Sequence, residues 1–370
     1  SEMCIRDSPY RGHKELLKSL TQARFPEQVV VISTYDSAQG DFYMAKWRQA
    51  KPEQFAMICD EVHNMGAPKS QCLMELNPAY RIGLSATPRR NFDEIGSEKI
   101  LNFYHQNTFE FSIKDAQREH YLVEYQYRVL PCAMPEEDWE SYKAYSKEIV
   151  QLQHALEQED DEKDRLRLQQ RIEGRYRDRA KLLKKNDQKV QTLQTIFDEI
   201  PPSARVLIYG DDLNHLDELG KELDRMGKYY FKYTGELDAQ KERPTILKEF
   251  RQGIRKILLA VGCLDEGIDI PACDVAVFIS SSTSERQFIQ RRGRVLRIAP
   301  GKMTAWIYDY LVYPILPAST SDEERRMALS MIDAQYRRIN LMVDDAINGI
   351  REHQKLDQFL SQRKLNPYDF

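Results

Sequence analysis

Two adjacent carboxylates, Asp60 and Glu61, followed by His63, close the apolar run Phe55-Ala56-Met57-Ile58-Cys59. Apolar residues bounded by charge read as a fully buried strand, and the tip of such a strand is where a parallel sheet presents chemistry. Asp and Glu are rarely buried without a partner, so two of them at a strand end call for a cation or a water network. One carboxylate could hold a hydrated magnesium while its neighbour orients a water for attack on a phosphate. Taken alone, such a pair more often marks a strand that simply ends in a polar loop. The rest of the chain decides.

Further along, an apolar run at 256–261 opens into Gly262-Cys263-Leu264-Asp265-Glu266-Gly267-Ile268-Asp269-Ile270-Pro271. Glycines at a strand end let a backbone approach a ligand closely, and Asp269 could accept from a ribose hydroxyl; a tight turn is the plainer reading. Next comes Gln290-Arg291-Arg292-Gly293-Arg294-Val295-Leu296-Arg297, in a stretch from 286 to 302 with five arginines, one lysine and no acid. Arg294 and Arg297 are three apart, so on a helix they share a face and could converge on one anion, or form a surface basic patch. Two hydroxyl-rich loops, Ser33-Thr34-Tyr35-Asp36-Ser37 and Ser85-Ala86-Thr87-Pro88, each follow an apolar run. The hydroxyls of the first could take phosphates, and helix capping is the stronger reading there.

The elements that must position these residues are legible as alternating strands and helices. Runs at 29–32, 55–59 and 81–84 predict three strands of one parallel α/β sheet whose polar ends share an edge. Residues 121–129 alternate apolar and polar and predict a strand or crossover leaving that domain. From 136 to 200 only Gly174 interrupts a stretch dense in Glu, Lys, Arg, Gln and Leu. It predicts a helical hairpin arm turning at the acidic cluster 157–162. Pro201-Pro202 punctuates a boundary. A second set then follows, with strands at 206–209, 229–233, 256–261, 275–279 and 304–308 and helices at 213–226 and 238–250. The tail from 322 to 360 is an amphipathic helical segment with Leu329, Ile332, Tyr336, Ile339 and Met342 on one stripe. The predicted domains are 1–130, an arm at 131–200, 201–317 and a helical extension at 318–370.

Composition sets the outer bounds. The 370 residues are 41% hydrophobic and 30% charged, with a net charge of −4, so any nucleic-acid contact must be local rather than global. No run reaches the eighteen or so apolar residues of a membrane span, and nothing at the start reads as a signal peptide. Six scattered cysteines and seven histidines show no metal-ligand spacing. The reduced, core-like cysteines point to an intracellular, cytoplasmic compartment.

Here the residues meet a family. Asp60-Glu61-Val62-His63 resembles the DExH form of motif II of superfamily 2 helicases, Ser85-Ala86-Thr87 their motif III and Ser33-Thr34-Tyr35 motif Ib. Val206-Leu207-Ile208-Tyr209 resembles motif IV, 262–271 motif V, and 290–297 the motif VI pattern Q-x-x-G-R-x-x-R. Six motifs in order cover the chain from about 29 to 300. The arm and tail look most like the bacterial and phage branch related to excision-repair translocases and restriction-enzyme motors. Carboxylates closing one α/β domain and arginines closing another suit a nucleotide bound between them.

The resemblance implies two RecA-like parallel-sheet domains, the first incomplete, with a helical arm and a helical tail. It implies ATP and Mg2+ as cofactors, nucleic acid as partner (DNA over RNA) and protein partners from a repair, phage or restriction-defence system. By the same resemblance Asp60 holds magnesium through water, Glu61 orients the attacking water, and His63 couples the nucleotide to Ser85 and Thr87. Gly267 and Asp269 touch the ribose side, Gln290 assists, Arg294 and Arg297 act as arginine fingers, and Thr34, Thr234 and Gly235 follow the nucleic-acid backbone. One departure stands out. No glycine before Asp60 precedes a Lys-Ser or Lys-Thr, so the family's phosphate-cradling loop is missing. The expectation is an N-terminally truncated ATP-dependent helicase or translocase with little or no turnover by itself. The alternatives are an RNA helicase and a non-hydrolysing nucleic-acid-binding regulatory module.

Overall fold

The computed structural model describes residues 3–6, 29–49, 55–90, 93–238, 241–261, 272–280 and 285–366. They fall into two compact units, Ser1–Glu110 and Phe111–Phe370. Among the described residues no helix is long and apolar enough to cross a membrane.

In the first unit, β1 (Met3–Arg6) pairs in parallel with β2 (Val29–Ile32), Met3 opposite Val29. Two short helices follow, α1 (Tyr35–Ala38) and α2 (Asp41–Trp47). A second parallel pair joins β3 (Ala56–Cys59) to β4 (Tyr80–Gly83), with Ile58 opposite Ile82. Between them run two 3-10 helices, Val62–Gly66 and Ser70–Leu76, and α3 (Glu94–Phe103) closes the unit. Met44, Cys59, Val62, Met65, Leu73, Ile100 and Phe103 form its core.

Two expectations are corrected here. Among the described residues the three strands do not share one sheet: β2 pairs with β1, a strand that the mixed sequence of residues 1–10 does not announce. Nor is 55–59 buried on both faces. Cys59 packs inward, while Ile58, Tyr80 and Ile82 are exposed by more than half. A two-stranded pair covered on one side has nothing to bury its other face.

The second unit opens with α4 (Ile113–Arg118), started by a reciprocal capping box between Ser112 and Asp115. Then come β5 (Glu124–Met134), α5 (Glu136–Gln158), α6 (Glu162–Lys184), α7 (Asp187–Gln191), α8 (Leu193–Glu199), β6 (Val206–Tyr209) and α9 (Leu213–Arg225). After these run β7 (Phe231–Tyr233), α10 (Glu242–Arg251), β8 (Ile257–Ala260), β9 (Val275–Val277), α11 (Glu285–Val295), β10 (Thr304–Pro314), α12 (Asp322–Val343) and α13 (Gly349–Ser361). One six-stranded sheet, ordered β5-β10-β9-β6-β8-β7 and parallel throughout, carries the unit. Every residue of β6, β8 and β9 is buried, which is why these strands read as unbroken apolar runs.

The stretch 121–129 does begin a strand, but β5 pairs with β10 over eleven residues, Glu124 opposite Thr304 through Met134 opposite Pro314. The contact boundary therefore falls after Glu110 and not at 130, because this ladder ties 124–134 to the second sheet. Edge exposure of β5 is met by side chains. Asn348 exchanges both amide hydrogen bonds with the Tyr127 backbone, and Glu352 accepts from Val129 N.

Helices α5 and α6 form the expected hairpin. Glu159 and Asp161 flank its turn, and Asp161 caps α6 by accepting from Lys163 N and Asp164 N. Arg175 bonds Glu148, Arg179 bonds Ser146 and Gln153 bonds Tyr176, partners that run in opposite directions along the two helices. On α12, Ile332, Tyr336, Ile339 and Met342 are buried as predicted, Leu329 is only partly so, and the helical tail breaks after Val343.

Candidate functional site

The strand end after β3 places the two carboxylates on a sharp turn. Asp60 Oδ1 accepts from Glu61 N at 3.0 Å, and the Asp60 carbonyl accepts from Tyr35 Oη at 2.8 Å. Glu61 itself sits in the left-handed region, φ 46° and ψ 52°, just before the 3-10 helix Val62–Gly66. That turn swings its carboxylate back to His63, with Oε2 3.3 Å from Nδ1. His63 is buried, and Nδ1 is also 3.1 Å from Ser85 Oγ, which in turn accepts from Thr87 N at 3.2 Å. Glu61, His63, Ser85 and Thr87 thus form one connected polar chain.

The backbone fixes that chain from beneath. Leu84 N donates to Cys59 O and Val62 N donates to Leu84 O, so the strand ends of β3 and β4 are stitched just where the side chains diverge. Arg90 completes the clamp. Its Nη1 donates to His63 O at 2.7 Å, its Nε to Asp93 Oδ2 at 2.6 Å, and its backbone N to Ser97 Oγ at 2.8 Å. Neither Arg90 nor the Tyr35 hydroxyl was singled out from sequence. The adjacent Arg89-Arg90 pair just after Ser85-Ala86-Thr87 was the available signal. Gly66 lies against this clamp, where a Cβ would come within 2.5 Å of Arg90 Cδ.

Cys59 confirms a core role: burial pushes its thiol up, and burial likewise holds the neighbouring Tyr35 and Tyr104 phenols well above their usual range. Among the described residues no group of three or more His, Cys, Asp or Glu side chains could hold a metal ion. Asp60 is exposed at the turn, a donor set that suits a hard ion keeping most of its waters.

In the second unit, the basic run divides by role. Arg292 is buried and donates to Leu341 O and Asp345, tying α11 to α12. Arg291 is buried too, its guanidinium 4.7 Å from the Tyr209 ring centre. Gln290 and Arg294 lie on α11, both partly exposed. Arg297 does not share that helix. The helix ends at Val295, and Arg297 is exposed in an antiparallel bridge to Leu122, since Leu296 O is taken by Val123 N. Gly267 and Asp269 lie outside the described residues.

The backbone-contact residues split likewise. Thr34 accepts from Ser37 N and caps α1, the capping reading of its loop. Thr234 is buried after β7, so it presents little surface to a partner, whereas Gly235 is exposed and its carbonyl accepts from Arg243.

Comparison with known proteins follows the same division. Residues 5–90 match the family model described as type III restriction enzyme, res subunit, and residues 188–299 match the helicase conserved C-terminal domain. The DNA 3'-5' translocase XPB2 of Sulfurisphaera tokodaii is 23% identical over 282 residues, 72% of this chain and 60% of that protein. UvrABC system protein B of Coxiella burnetii is 28% identical over 133 residues, 34% of this chain and 20% of that protein. The chain therefore spans less than two thirds of the length of these relatives. Among solved structures, an ATP-dependent type ISP restriction-modification enzyme, LlaBIII, bound to DNA superposes with a TM-score of 0.55 at 17% identity, covering 93% of this chain and 25% of that one. That likeness establishes the RecA-like fold.

Proposed function

The chain belongs to the superfamily 2 helicases, in the branch related to excision-repair translocases and restriction-enzyme motors, and on that footing we propose that it is the part of an ATP-dependent DNA helicase or translocase that carries motifs Ib to VI, with little or no turnover by itself. The observation that carries this reading is the connected chain Glu61–His63–Ser85–Thr87 at the end of two paired strands. Such a chain links a carboxylate able to orient water to a loop on the next strand, so a change at one is felt at the other.

Bound with Mg2+ held through water by Asp60, ATP would supply the phosphoanhydride whose hydrolysis powers movement. Glu61 orients the attacking water, and the left-handed turn keeps its carboxylate off the strand axis. His63, fixed at its carbonyl by Arg90, passes the state of Glu61 to Ser85. Arg294 and Arg297 are the candidate cations for the transferring phosphoryl group, and Gln290 its positioning amide. The DNA preference rests on the DNA translocase and the DNA-bound restriction enzyme among the similar proteins. No Gly-x-Gly-Lys-Ser/Thr loop occurs in these 370 residues, so the lysine that would cradle the β- and γ-phosphates is not among them.

The test is nucleic-acid-stimulated ATP turnover by the gene product that carries this chain. Glu61→Gln should lower it by about two to four orders of magnitude, the usual worth of a positioned general base. Turnover that survives the substitution sinks the reading. Competition between matched DNA and RNA strands should favour DNA, and equal or better competition by RNA overturns that preference.

A further inference from the structure

A cavity of about 160 Å³ lies in the second unit at its β5 edge, built on residues outside the motifs. Gln126 and Arg128 are two apart on β5, and Trp306 of β10 stands directly opposite Gln126 in the ladder. Arg351 and Lys355, one helical turn apart on α13, line it as well, with Asn348 and Glu352 beside them. Trp306 also registers with Val275, the first residue of β9, so the cavity sits at the strands' N-terminal ends. The sequence 262–271, by contrast, comes after the C-terminal end of β8 in the chain.

The charge of this cavity is lopsided. Arg128, Arg351 and Lys355 face one lining acid, Glu352, which is already committed to Val129 N and to Lys355. Arg128 holds Glu199 at 2.9 Å. Among the described residues Arg351 makes no ion pair and the Gln126 carboxamide no hydrogen bond. An indole, an unspent amide, the unpaired guanidinium of Arg351 and the ammonium of Lys355, held only by an exposed ion pair with Glu352, stand around one small space, and these are the groups that recognise a base and its phosphate. The volume equals that of about five waters and is below the ~300 Å³ of a drug-sized pocket, so it admits one base, with the sugar and phosphate at its open rim where Arg351 and Lys355 are exposed.

We propose that this cavity binds one nucleotide unit, with the base against Trp306 and Gln126 and the phosphate between Arg351 and Lys355. The unit comes either as a free mononucleotide or as one residue of a single strand. Both share this chemistry.

Tryptophan quenching and labelled-ligand anisotropy on the full chain test it, with adenosine 5'-monophosphate and a short deoxyadenylate strand as probes. Magnesium is left out and Glu61→Gln is introduced throughout to stop turnover, and the cavity is isolated from any binding by the motor through substitutions confined to its own lining. Arg351→Gln combined with Lys355→Gln should weaken binding of the preferred probe at least tenfold. Trp306→Leu should do the same, with an unchanged unfolding midpoint as the folding control for each. Tighter binding of the strand than of the mononucleotide assigns the site to nucleic acid, and the reverse assigns it to a free nucleotide. Affinities for both probes within twofold of the unsubstituted chain in the double cation variant overturn the proposal.

Discussion

Glu61 occupies a backbone conformation that glutamate disfavours, φ 46° and ψ 52°, and it does so at the residue with most to gain from being aimed. A non-glycine residue in this region costs about 1–2 kcal/mol, and such strain persists where the surroundings over-determine it. Here the over-determination is visible in Leu84, whose N and O bond Cys59 and Val62 on either side of the turn. The Glu61 carboxylate is one-third exposed, so its contact with His63 is worth at most about 1 kcal/mol. Relief of strain therefore wins over loss of the contact. Glu61→Gly should leave the first unit as stable as before or up to about 1 kcal/mol more stable, while abolishing turnover as thoroughly as Glu61→Gln. Urea unfolding followed at Trp47, which lies in this unit, checks the first half. A clear loss of stability would mean that the His63 contact outweighs the strain.

Elements show why some of the site was legible and some was not. The strands β6, β8 and β9 are buried throughout, so composition alone marked them, whereas the Asp60–Glu61 turn was marked by two charges closing an apolar run of which only Cys59 is fully buried. Arg291 and Arg292 sit in the same basic run as Arg294, and nothing in their spacing says that they pack inward against Tyr209 and α12. The partners lie many residues away. The same holds for Asn348, whose side chain imitates a neighbouring strand for Tyr127 across 221 residues of sequence. Asn348→Ala should cost about 2 kcal/mol by leaving a backbone donor and acceptor of an edge strand unmet. Hydrogen exchange should speed up at the Tyr127 amide above all, and unchanged protection there would show that the strand needs no such cover. His215 on α9 gives the pH-dependent counterpart. It is buried, its Nδ1 accepts from Asp211 N, and burial lowers its pKa to about 4. The unfolded imidazole takes a proton near 6.5, so stability is full above that pH and is lost as pH falls toward 4, by about 3 kcal/mol in all. Urea midpoints between pH 7.5 and 4.5 should fall more steeply for the natural chain than for His215→Gln. Parallel slopes would remove His215 as the cause.

At the scale of the molecule, the two units differ in how completely they bury themselves. The second has a six-stranded sheet with apolar clusters on both faces, one built around Tyr125, Phe250, Phe278 and Tyr336, the other around Leu193, Leu216, Leu259 and Tyr310. Among the described residues the first has two strand pairs and one small cluster, and it leaves Ile58, Tyr80, Ile82 and Leu84 exposed by more than half. Stability scales with buried apolar area at roughly 25 cal/mol per Å², so the first unit has far less to set against its chain entropy. The boundary at Glu110 was misplaced from sequence for a related reason: 124–134 alternates like an ordinary strand, and only its partner β10, some 180 residues away, shows which sheet gains it. Two unfolding transitions should follow. Trp47 reports on the first unit, and Trp139 and Trp306 report on the second. With single-tryptophan versions of the chain, the Trp47 signal should change at a lower urea concentration than the other two, with the smaller dependence on denaturant that less buried surface implies. Hydrogen exchange should rank the amides likewise, slowest in β6 and β8 and fastest in β3 and β4. A single transition shared by all three tryptophans would mean that the units unfold as one cooperative body, and the weakness of the first would then have to be made good by the second.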